Sequence, residues 1–365
     1  MNVLIAGGGT GGHLFPGIAL AEEVRRRFPK SRIIFVGTAR GIEVRAVPKA
    51  GFELFLLPVS GLRKVGIVQF IKGVLKLPLA VLAAFRVVSR FAPDVAVSVG
   101  GYAAGPAVLA SRLLGVPCVV MEQNAVMGFT NRILSRFSKR VYAALPVTGV
   151  ADDLLMLAGN PVRASFQAIR ENPYQPAKPL RLLAFGGSQG ARALNDAMLE
   201  LLPRLVESGL DISILHQCGR PDQERVVAAY AKYKELNARV EPFIDEMAEA
   251  YAEADLIISR SGATTIAEVT VCGRPAILVP FPHAVDDHQS KNARALEKLG
   301  GAVCLPQPEL SGDKLMSLIA GFVEQPEQLK KMAECSLKAG HPEAAATIAT
   351  DLEILCGKGG GRKDV

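Results

Sequence analysis

Short apolar runs alternate along the chain with longer segments of helical periodicity. In the first half these runs lie at 2–6, 33–36, 52–57, 94–99 and 117–121, with a long helical stretch from 65 to 90 between the third and the fourth. Buried parallel strands are near-continuous apolar runs, and consecutive ones need a crossover connection that is usually a helix. The alternation therefore predicts an α/β fold with a parallel sheet covered on both faces.

The same order of elements recurs after the proline-rich segment Asn172 to Pro179, which we place close to a domain boundary. A strand from Leu180 to Phe185 precedes the loop Gly186 to Gly190 and a helix from Ala191 to about Val206. Further strands are expected near 212–216, 240–243, 256–259 and 276–279. Two strand, glycine-loop and helix openings about one domain length apart predict two Rossmann-like domains.

Basic residues are concentrated in the first half of the chain. Residues 1–165 carry 20 Lys and Arg against 8 Asp and Glu, a net charge of +12, and the remainder carries 22 against 27, a net of −5, which together give +7. This asymmetry indicates an anionic partner of the first domain, such as nucleic acid, acidic lipid headgroups or a phosphorylated substrate. The chain lacks a long basic run or an aromatic stacking platform, which disfavours nucleic acid.

The first strand ends in a glycine loop, Gly7 to His13, with the sequence GGGTGGH. Its glycines satisfy the G-x-G-x-x-G pattern of dinucleotide-binding proteins. That pattern also requires an acidic residue after the second strand to bind a ribose. The second strand is followed by Gly37-Thr38-Ala39-Arg40, without a carboxylate before Glu43. An NAD site is therefore disfavoured, although Arg40 leaves an NADP-dependent oxidoreductase open as an alternative.

Further polar loops follow other strands, where the carboxyl edge of a parallel sheet places ligand sites. They comprise Ser98 to Pro106, Met121 to Asn124, Arg260 to Glu268 and Phe281 to Gln289. The His and Asp residues of the last loop suggest a metal, but no third ligand follows at a recognised spacing, and we expect none. The six cysteines also lack zinc spacing, and without a signal peptide they indicate a reducing cytoplasm.

The helical stretch near residue 71 has an apolar face formed by Ile71, Leu75, Leu79, Leu82 and Phe85. Lysines, arginine and a proline interrupt it, so it lacks the apolar span of about 20 residues that crosses a bilayer. Basic residues flank the apolar face, namely Arg63, Lys64, Lys72 and Lys76. The pattern predicts an interfacial helix on an anionic membrane, and a helix packed on its own sheet remains the alternative.

Seven motifs in this order carry a specific resemblance: GGGTGGH, SVGGYAAGP, MEQNAVMGFTN, GNPVR, FGGSQGARALN, SRSGATTIAE and PHAVDDHQSKNA. Over nearly the whole chain they resemble the bacterial glycosyltransferases that add N-acetylglucosamine (GlcNAc) to undecaprenyl-pyrophosphoryl-N-acetylmuramyl-pentapeptide. That is the last intracellular glycosyl transfer of peptidoglycan synthesis. The chain departs from the family at Met121, where relatives often carry a polar residue, so a role for that side chain is in doubt.

The resemblance implies a GT-B fold, in which two Rossmann-like domains face each other across a cleft. Residues 1–163 would bind the lipid acceptor and the membrane, and residues 164–342 would bind UDP-GlcNAc. The last helix, at 343–356, would pack back on the first domain. The family also implies a peripheral location on the cytoplasmic face of the inner membrane, with anionic lipids as partners and no cofactor.

The family's substrate-binding residues carry over by motif. The Gly186 to Gly190 loop with Ser188 would meet the donor's phosphates together with Arg163, Ile244 would pack at the uracil, and Glu268 would bind the ribose. Asn124 and Gln289 would bond hydroxyls of the GlcNAc ring. The residues expected to close around that sugar are Thr10, Gly11, Gly12, Ala263, Thr264, Thr265, Ile266 and Ala267.

The implied reaction is attack by the 4-hydroxyl of the muramyl sugar on the anomeric carbon of UDP-GlcNAc, with inversion to a β-linkage. His13 is the favoured base, because a histidine side chain ordinarily titrates near pH 6.5, and Glu122 is the second candidate. Loop N–H groups, a helix N-terminus and Arg163 would stabilise the departing UDP. A different GT-B transferase that uses a UDP-sugar is the nearest enzymatic alternative.

Overall fold

The computed structural model describes residues 1–39, 41–59, 67–124, 126–172, 174–284 and 287–359, with the backbone alone at 67–77 and 358–359. The chain forms two compact units. The first contains Met1–Arg163 and returns from Pro342 onward, and the second contains Ala164–His341. The proline-rich segment Asn172 to Pro179, expected near the boundary, lies within the second unit.

The first unit is built on a seven-stranded parallel sheet in the order β3-β2-β1-β4-β5-β6-β7. Its strands are β1 Asn2–Gly7, β2 Arg32–Gly37, β3 Glu53–Leu56, β4 Val95–Gly100, β5 Cys118–Glu122, β6 Arg140–Ala143 and β7 Leu155–Leu157. Its helices are α1 Gly11–Arg27, α2 Glu43–Lys49, α3 Ile67–Phe91, α4 Ala104–Leu113, α5 Phe129–Leu134 and, from the end of the chain, α14 Ala344–Gly359.

Alternating residues of the central strands of this sheet fill two separate cores. Val3 and Ile5 of β1 pack with α1 and with Ile348 and Leu352 of α14. Leu4 and Ala6 of β1 pack with α3 and α4 on the opposite face. Successive side chains of a strand point to opposite faces, so an unbroken apolar run is what a strand covered on both sides requires.

The second unit has a six-stranded parallel sheet in the order β10-β9-β8-β11-β12-β13. Its strands are β8 Leu180–Phe185, β9 Ile212–Gln217, β10 Asn237–Glu241, β11 Leu256–Ser259, β12 Ala276–Leu278 and β13 Ala302–Cys304. Its helices are α6 Ala164–Gln167, α7 Arg192–Ser208, α8 Gln223–Tyr230, α9 Met247–Glu253, α10 Ala263–Cys272, α11 His288–Lys298, α12 Gly312–Glu324 and α13 Pro326–Ala339.

These two parallel sheets confirm the predicted α/β class. The expected strand near 240–243 is displaced, because β10 is Asn237–Glu241 and the apolar Phe243 follows it. The short strands β6, β7 and β13 were not predicted, because three or four residues carry little periodicity; β12, equally short, was recognised from the apolar run at 276–279.

A buried histidine lies inside the core of the second unit. His216 of β9 is fully buried, and its ring nitrogens lie 3.1 Å from the Tyr230 hydroxyl and 3.1 Å from Oδ1 of Asn195. Burial lowers the pKa of His216 to about 4 from its ordinary value of 6.5. The folded protein therefore holds this imidazole neutral at a pH where the unfolded chain protonates it.

We predict that this histidine destabilises the protein in mild acid. Below pH 6.5 the unfolded chain binds a proton at His216 that the folded protein does not bind. The free energy of unfolding is therefore unaffected by this residue above pH 6.5, and it falls by up to about 3 kcal/mol as the pH is lowered towards 4. Denaturant unfolding at pH 7.5 and 4.5 should show that His216→Gln flattens this dependence. Replacing the exposed His283 in the same way is the control. An unchanged slope in His216→Gln would contradict the prediction.

Candidate active site

Two glycine loops lie side by side at the carboxyl edge of the first sheet. They follow β1 and β4, which are neighbouring strands, and the Gly8 N–H donates to the Gly100 carbonyl at 3.2 Å. Gly8 has φ +136° and Gly101 has φ +90°. A Cβ at Gly101 would lie 2.6 Å from the Gly8 oxygen, so this close approach requires glycine. The loops therefore form one continuous surface.

A carboxylate lies directly beneath the first loop. Glu43 is fully buried at the first residue of α2, and it accepts a hydrogen bond from the Gly9 N–H at 2.8 Å. The N–H and hydroxyl of Thr38 also donate to it, both at 2.9 Å. Glu43 is the first carboxylate after β2, but it comes later than the strand-end position from which the dinucleotide pattern binds a ribose. Here it is hydrogen-bonded to the protein's own loop.

His13 lies in the first turn of α1, against the second loop. Its Nδ1 is 3.1 Å from the Thr10 hydroxyl. A Cβ at Gly100 would lie 3.0 Å from Cδ2 and 3.4 Å from Nε2 of the His13 ring, so a side chain at Gly100 would crowd the imidazole. The structure thus brings Thr10, His13 and the loop after β4 together.

Glu122, at the end of β5, is buried in a hydrogen-bond network. One carboxylate oxygen accepts from the N–H and the side-chain amide of Asn124, at 3.1 and 3.3 Å. The other accepts from the Gly128 N–H at 3.1 Å and from the Asn131 amide at 3.0 Å. Asn131 in turn accepts from the Ser98 hydroxyl at 2.8 Å. Glu122 therefore fixes the turn that carries Asn124.

Arg163 is the last residue of the first unit. Its guanidinium lies over the ring of Phe15 in α1, 4.5 Å from the ring centroid. The predicted donor-site residues are thus divided between the units. Those in the first are Thr10, Gly11, Gly12, Asn124 and Arg163; those in the second are Ser188, Ile244, Ala263, Thr264, Thr265, Ile266, Ala267, Glu268 and Gln289.

The second unit carries its own glycine loop, Gly186 to Gly190, between β8 and α7. A buried side-chain amide, that of Gln217, supports it. Gln217 donates to the Gly187 carbonyl and accepts from the Ile244 N–H, both at 2.9 Å. One neutral group therefore joins the loop to the segment after β10 in which Ile244 lies.

Glu268 lies in α10, whose N-terminus follows β11. It is buried, and one of its oxygens accepts from the Tyr251 hydroxyl at 3.3 Å. Tyr251 is fully buried, and its ring packs edge-on against Phe166 and near Phe185. The aromatic cluster holds the tyrosine, and the tyrosine orients the carboxylate.

Gln289 lies near the start of α11, next to the turn that begins α10. Its Oε1 accepts from the Phe281 N–H at 3.0 Å, and its carbonyl accepts from the Ser261 hydroxyl at 2.9 Å. The Asn292 amide donates to the Ser261 carbonyl at 3.2 Å. These bonds bring Gln289 and the 263–268 segment together at one edge of the second sheet.

Arg260 supplies a buried positive charge beside this edge. Its guanidinium donates to the carbonyls of Val279 and Pro280, and to Oε1 of Gln307 at 2.7 Å. Burial lowers the pKa of Arg260 below its ordinary value, although an arginine remains charged at neutral pH.

The part of the chain that the structure describes contains no group of three or more His, Cys, Asp and Glu residues placed to hold a metal ion. Asp287, in the histidine-rich loop, accepts a 2.6 Å hydrogen bond from the Ser290 hydroxyl at the start of α11. Asp286 lies outside the described residues.

Exposed apolar side chains cover part of three helices in the first unit. Leu79, Leu82 and Phe85 of α3 are 61, 59 and 39% exposed. The side chains of Ile71 and Leu75 lie outside those described. Helix α4 packs beside α3 and α5 beside α4, and they add the exposed residues Leu109, Leu113, Phe129 and Ile133. No helix within the described ranges is long and apolar enough to span a membrane.

The sequence analysis assigned no role to four residues whose hydrogen bonds support these sites: Glu43, Asn131, Gln217 and Tyr251. Asn131 belongs to the MEQNAVMGFTN motif, which was a usable signal, and Gln217 directly follows the strand predicted at 212–216. Glu43 was noted only as a carboxylate too late to bind a ribose. Tyr251 lies in a helix and gave no signal.

Comparisons with known proteins identify the family to which the chain belongs. The glycosyltransferase family 28 N-terminal domain matches residues 3–143, and the family's C-terminal domain matches residues 181–348. A relative from Myxococcus xanthus (strain DK1622) is 46% identical over 96% of this chain and 91% of its own. It is named UDP-N-acetylglucosamine–N-acetylmuramyl-(pentapeptide) pyrophosphoryl-undecaprenol N-acetylglucosamine transferase.

Solved structures show the same architecture. A crystal structure of Acinetobacter baumannii MurG is 34% identical, covers 97% of this chain and 99% of its own, and superposes with a TM-score of 0.73. The UDP-GlcNAc 2-epimerase of Neisseria meningitidis is 14% identical, with a TM-score of 0.66 over 97% of this chain and 100% of its own, and shares the fold. The chain therefore belongs to glycosyltransferase family 28, within its family of N-acetylmuramyl-(pentapeptide) pyrophosphoryl-undecaprenol N-acetylglucosamine transferases.

Proposed function

We propose that this protein transfers GlcNAc from UDP-GlcNAc to the 4-hydroxyl of the muramyl sugar of undecaprenyl-pyrophosphoryl-MurNAc-pentapeptide, with inversion. The observation that carries the proposal is the 46% identity over 96% of the chain to a relative of this activity. An oxidoreductase is disfavoured because no carboxylate at the end of β2 is placed to bind a ribose, and the first one that follows, Glu43, is hydrogen-bonded beneath the first loop.

Transfer of labelled GlcNAc from its UDP donor to a polyprenyl-pyrophosphoryl-muramyl peptide tests this function. We expect transfer with UDP-GlcNAc, little with UDP-glucose, and unchanged transfer in the presence of EDTA. Lack of transfer to the lipid acceptor, with hydrolysis or transfer to another alcohol instead, would favour a different GT-B enzyme. Binding of NADPH in a fluorescence titration would favour the oxidoreductase alternative.

The second unit supplies the chemistry for the nucleotide. The open loop at Gly187 and the N-terminus of α10 offer N–H groups to a diphosphate, together with Ser188 and Arg163. Glu268 can accept hydrogen bonds from both ribose hydroxyls, with Tyr251 holding one of its oxygens. Ile244 would pack at the uracil. Because the Gln289 Oε1 already accepts from Phe281, its amide N–H group is the part that would bond a sugar hydroxyl.

The first unit supplies the base and the sugar contacts. His13 would take the proton of the 4-hydroxyl as that oxygen bonds to the anomeric carbon and the bond from that carbon to UDP breaks. Thr10, through its hydroxyl, orients the imidazole. Thr10, Gly11 and Gly12, with residues 263–267 of the other unit, would close around GlcNAc.

Glu122 fits a positioning role better than the role of base. Its two oxygens already accept four hydrogen bonds, from Asn124, Gly128 and Asn131. A base must be within reach of the hydroxyl whose proton it takes, whereas this carboxylate is engaged within its own turn. We propose that it holds Asn124 towards the GlcNAc ring.

The kinetic prediction separates the base from the donor-binding groups. His13→Ala should lower kcat by about 100- to 10,000-fold with little change in the KM for UDP-GlcNAc. Glu268→Ala is the contrasting variant, because it should mainly weaken UDP binding. A His13→Ala enzyme with near-normal kcat would remove His13 as the base, and unchanged UDP affinity in Glu268→Ala would remove the ribose contact.

We further propose that the exposed face of α3, α4 and α5 docks on an anionic membrane, at its cytoplasmic side, where the lipid acceptor is anchored. Leu79, Leu82 and Phe85 supply apolar surface, and the net charge of +12 over residues 1–165 supplies the attraction. Ile71 and Leu75 would extend this face. The same surface would bring the first glycine loop to the lipid's sugar.

Vesicle binding tests this surface. Leu79→Glu should weaken binding to phosphatidylglycerol vesicles several-fold, and high salt should weaken binding of the wild type, because apolar insertion and charge attraction act together. Leu299→Glu is the matched control, since Leu299 is 59% exposed but lies in the second unit. If Leu79→Glu binds as the control does, α3 is an ordinary helix of the sheet.

A further inference from the structure

Glu43, the buried carboxylate beneath the first glycine loop, lies outside the seven sequence motifs that carry the family resemblance. We infer that Glu43 is a positioning residue for the transfer, acting through the Gly9 N–H to hold the loop that presents Thr10 and His13. The inference rests on the proposed function, because it assigns Glu43 to the same loop as the base.

Glu43 is buried, so hydrogen bonds must offset the cost of removing its carboxylate from water. A buried carboxylate is stable when several donors bond to it, and Glu43 has three such bonds, from Gly9 and Thr38. Its place in the first turn of α2 is also favourable for a negative charge. Among the described residues it forms no ion pair. Its hydrogen bonds come from Gly9 in the first glycine loop and from Thr38 in the loop after β2, so they fix those two loops to each other.

Neighbouring glycines leave space for the Glu43 side chain. A Cβ at Gly8 would lie 2.8 Å from the Glu43 carboxylate, and a Cβ at Gly37 would lie 2.7 Å from its Cγ. Gly41 would crowd the same carboxylate if it carried a side chain. Glycines on three sides therefore leave room for this one side chain, and the loop backbone rests directly on it.

The first glycine loop contains three consecutive glycines, whose backbone is conformationally free unless it is anchored. Gly7, Gly8 and Gly9 all have positive φ, and consecutive glycines have many conformations available. The Gly9 bond to Glu43 fixes this run immediately before Thr10, the N-cap of α1. His13 follows within the first turn, so an unanchored loop would let the imidazole move relative to its substrate.

The arrangement also bears on what the loop can bind. The Gly9 N–H is engaged with Glu43 and is not offered to a phosphate, and a negative charge lies beneath the loop. Both features disfavour a nucleotide diphosphate there. They suit a loop that orients a base and meets a neutral sugar.

The test compares Glu43→Gln with Glu53→Gln, whose side chain is exposed on β3. The amide keeps the shape but turns a donor towards Gly9 or Thr38. We expect kcat to fall by about 10- to 100-fold, the loss that a misplacement of about 1 Å can cause, with the KM for UDP-GlcNAc within about two-fold. Glu53→Gln should match the wild type. Thr38→Val, which loses one of the three bonds, should lose more kcat than Thr38→Ser.

A double variant provides the readout that a general loss of stability would not produce. If Glu43 acts through the loop of His13, adding Glu43→Gln to His13→Ala should cost little beyond His13→Ala alone. Multiplicative losses, an unchanged kcat in Glu43→Gln, or a rise in KM equal to the fall in kcat would overturn the inference. If Glu43→Gln does not fold, the Thr38 variants decide: equal kcat values for Thr38→Val and Thr38→Ser would overturn the inference.

The proposed function can fail separately. A wild-type protein without transfer activity would refute the function, whereas an active wild type with a normal Glu43→Gln variant would refute the role of Glu43 alone.

Discussion

Hydrogen bonds from loop N–H groups to buried carboxylates are the interaction on which the first unit's site depends. Glu43 accepts from Gly9, and Glu122 accepts from Gly128 and from the amides around it. Both carboxylates are buried, and the hydrogen bonds from loop N–H groups offset the cost of burying their charge. The cost of leaving such a charge unbonded keeps both loops in one geometry. His13 lies against Gly100 in the loop after β4.

The second unit anchors its loop differently, and the difference matches the ligand proposed there. Gln217, a neutral amide, bonds the Gly187 carbonyl and thus leaves no negative charge beneath the loop. Asp222 lies in the next turn, where hydrogen bonds from Arg225 hold its pKa at about 2 and Arg192 forms a second ion pair with it. A diphosphate needs N–H groups, and the neutral Gln217 anchor adds no negative charge that would repel it. The carboxylate anchor of the first unit suits a base and a neutral sugar instead.

The strands and loops were predictable because their signals are local, whereas the anchors depend on distant backbone. The run at 182–185 is apolar because both faces of the strand are buried there, and a glycine loop after such a run marks a ligand edge. Glu43 turns inward only because Gly37 and Gly41 leave space beside it, which no periodicity records. Glu122 reads as a candidate base in sequence, but its engagement with Asn131 depends on how α5 packs on β5.

The division of the chain into two units gives helix α1 a further importance. The chain leaves the first unit at Arg163, and the guanidinium of that residue rests on Phe15 of α1. A Cβ at Gly11 would lie 3.0 Å from the same ring, so Phe15 also bounds the first glycine loop. His13 is on this helix too. The proposed base and the arginine proposed to meet the leaving diphosphate therefore share helix α1, His13 as one of its residues and Arg163 through its contact with the Phe15 ring.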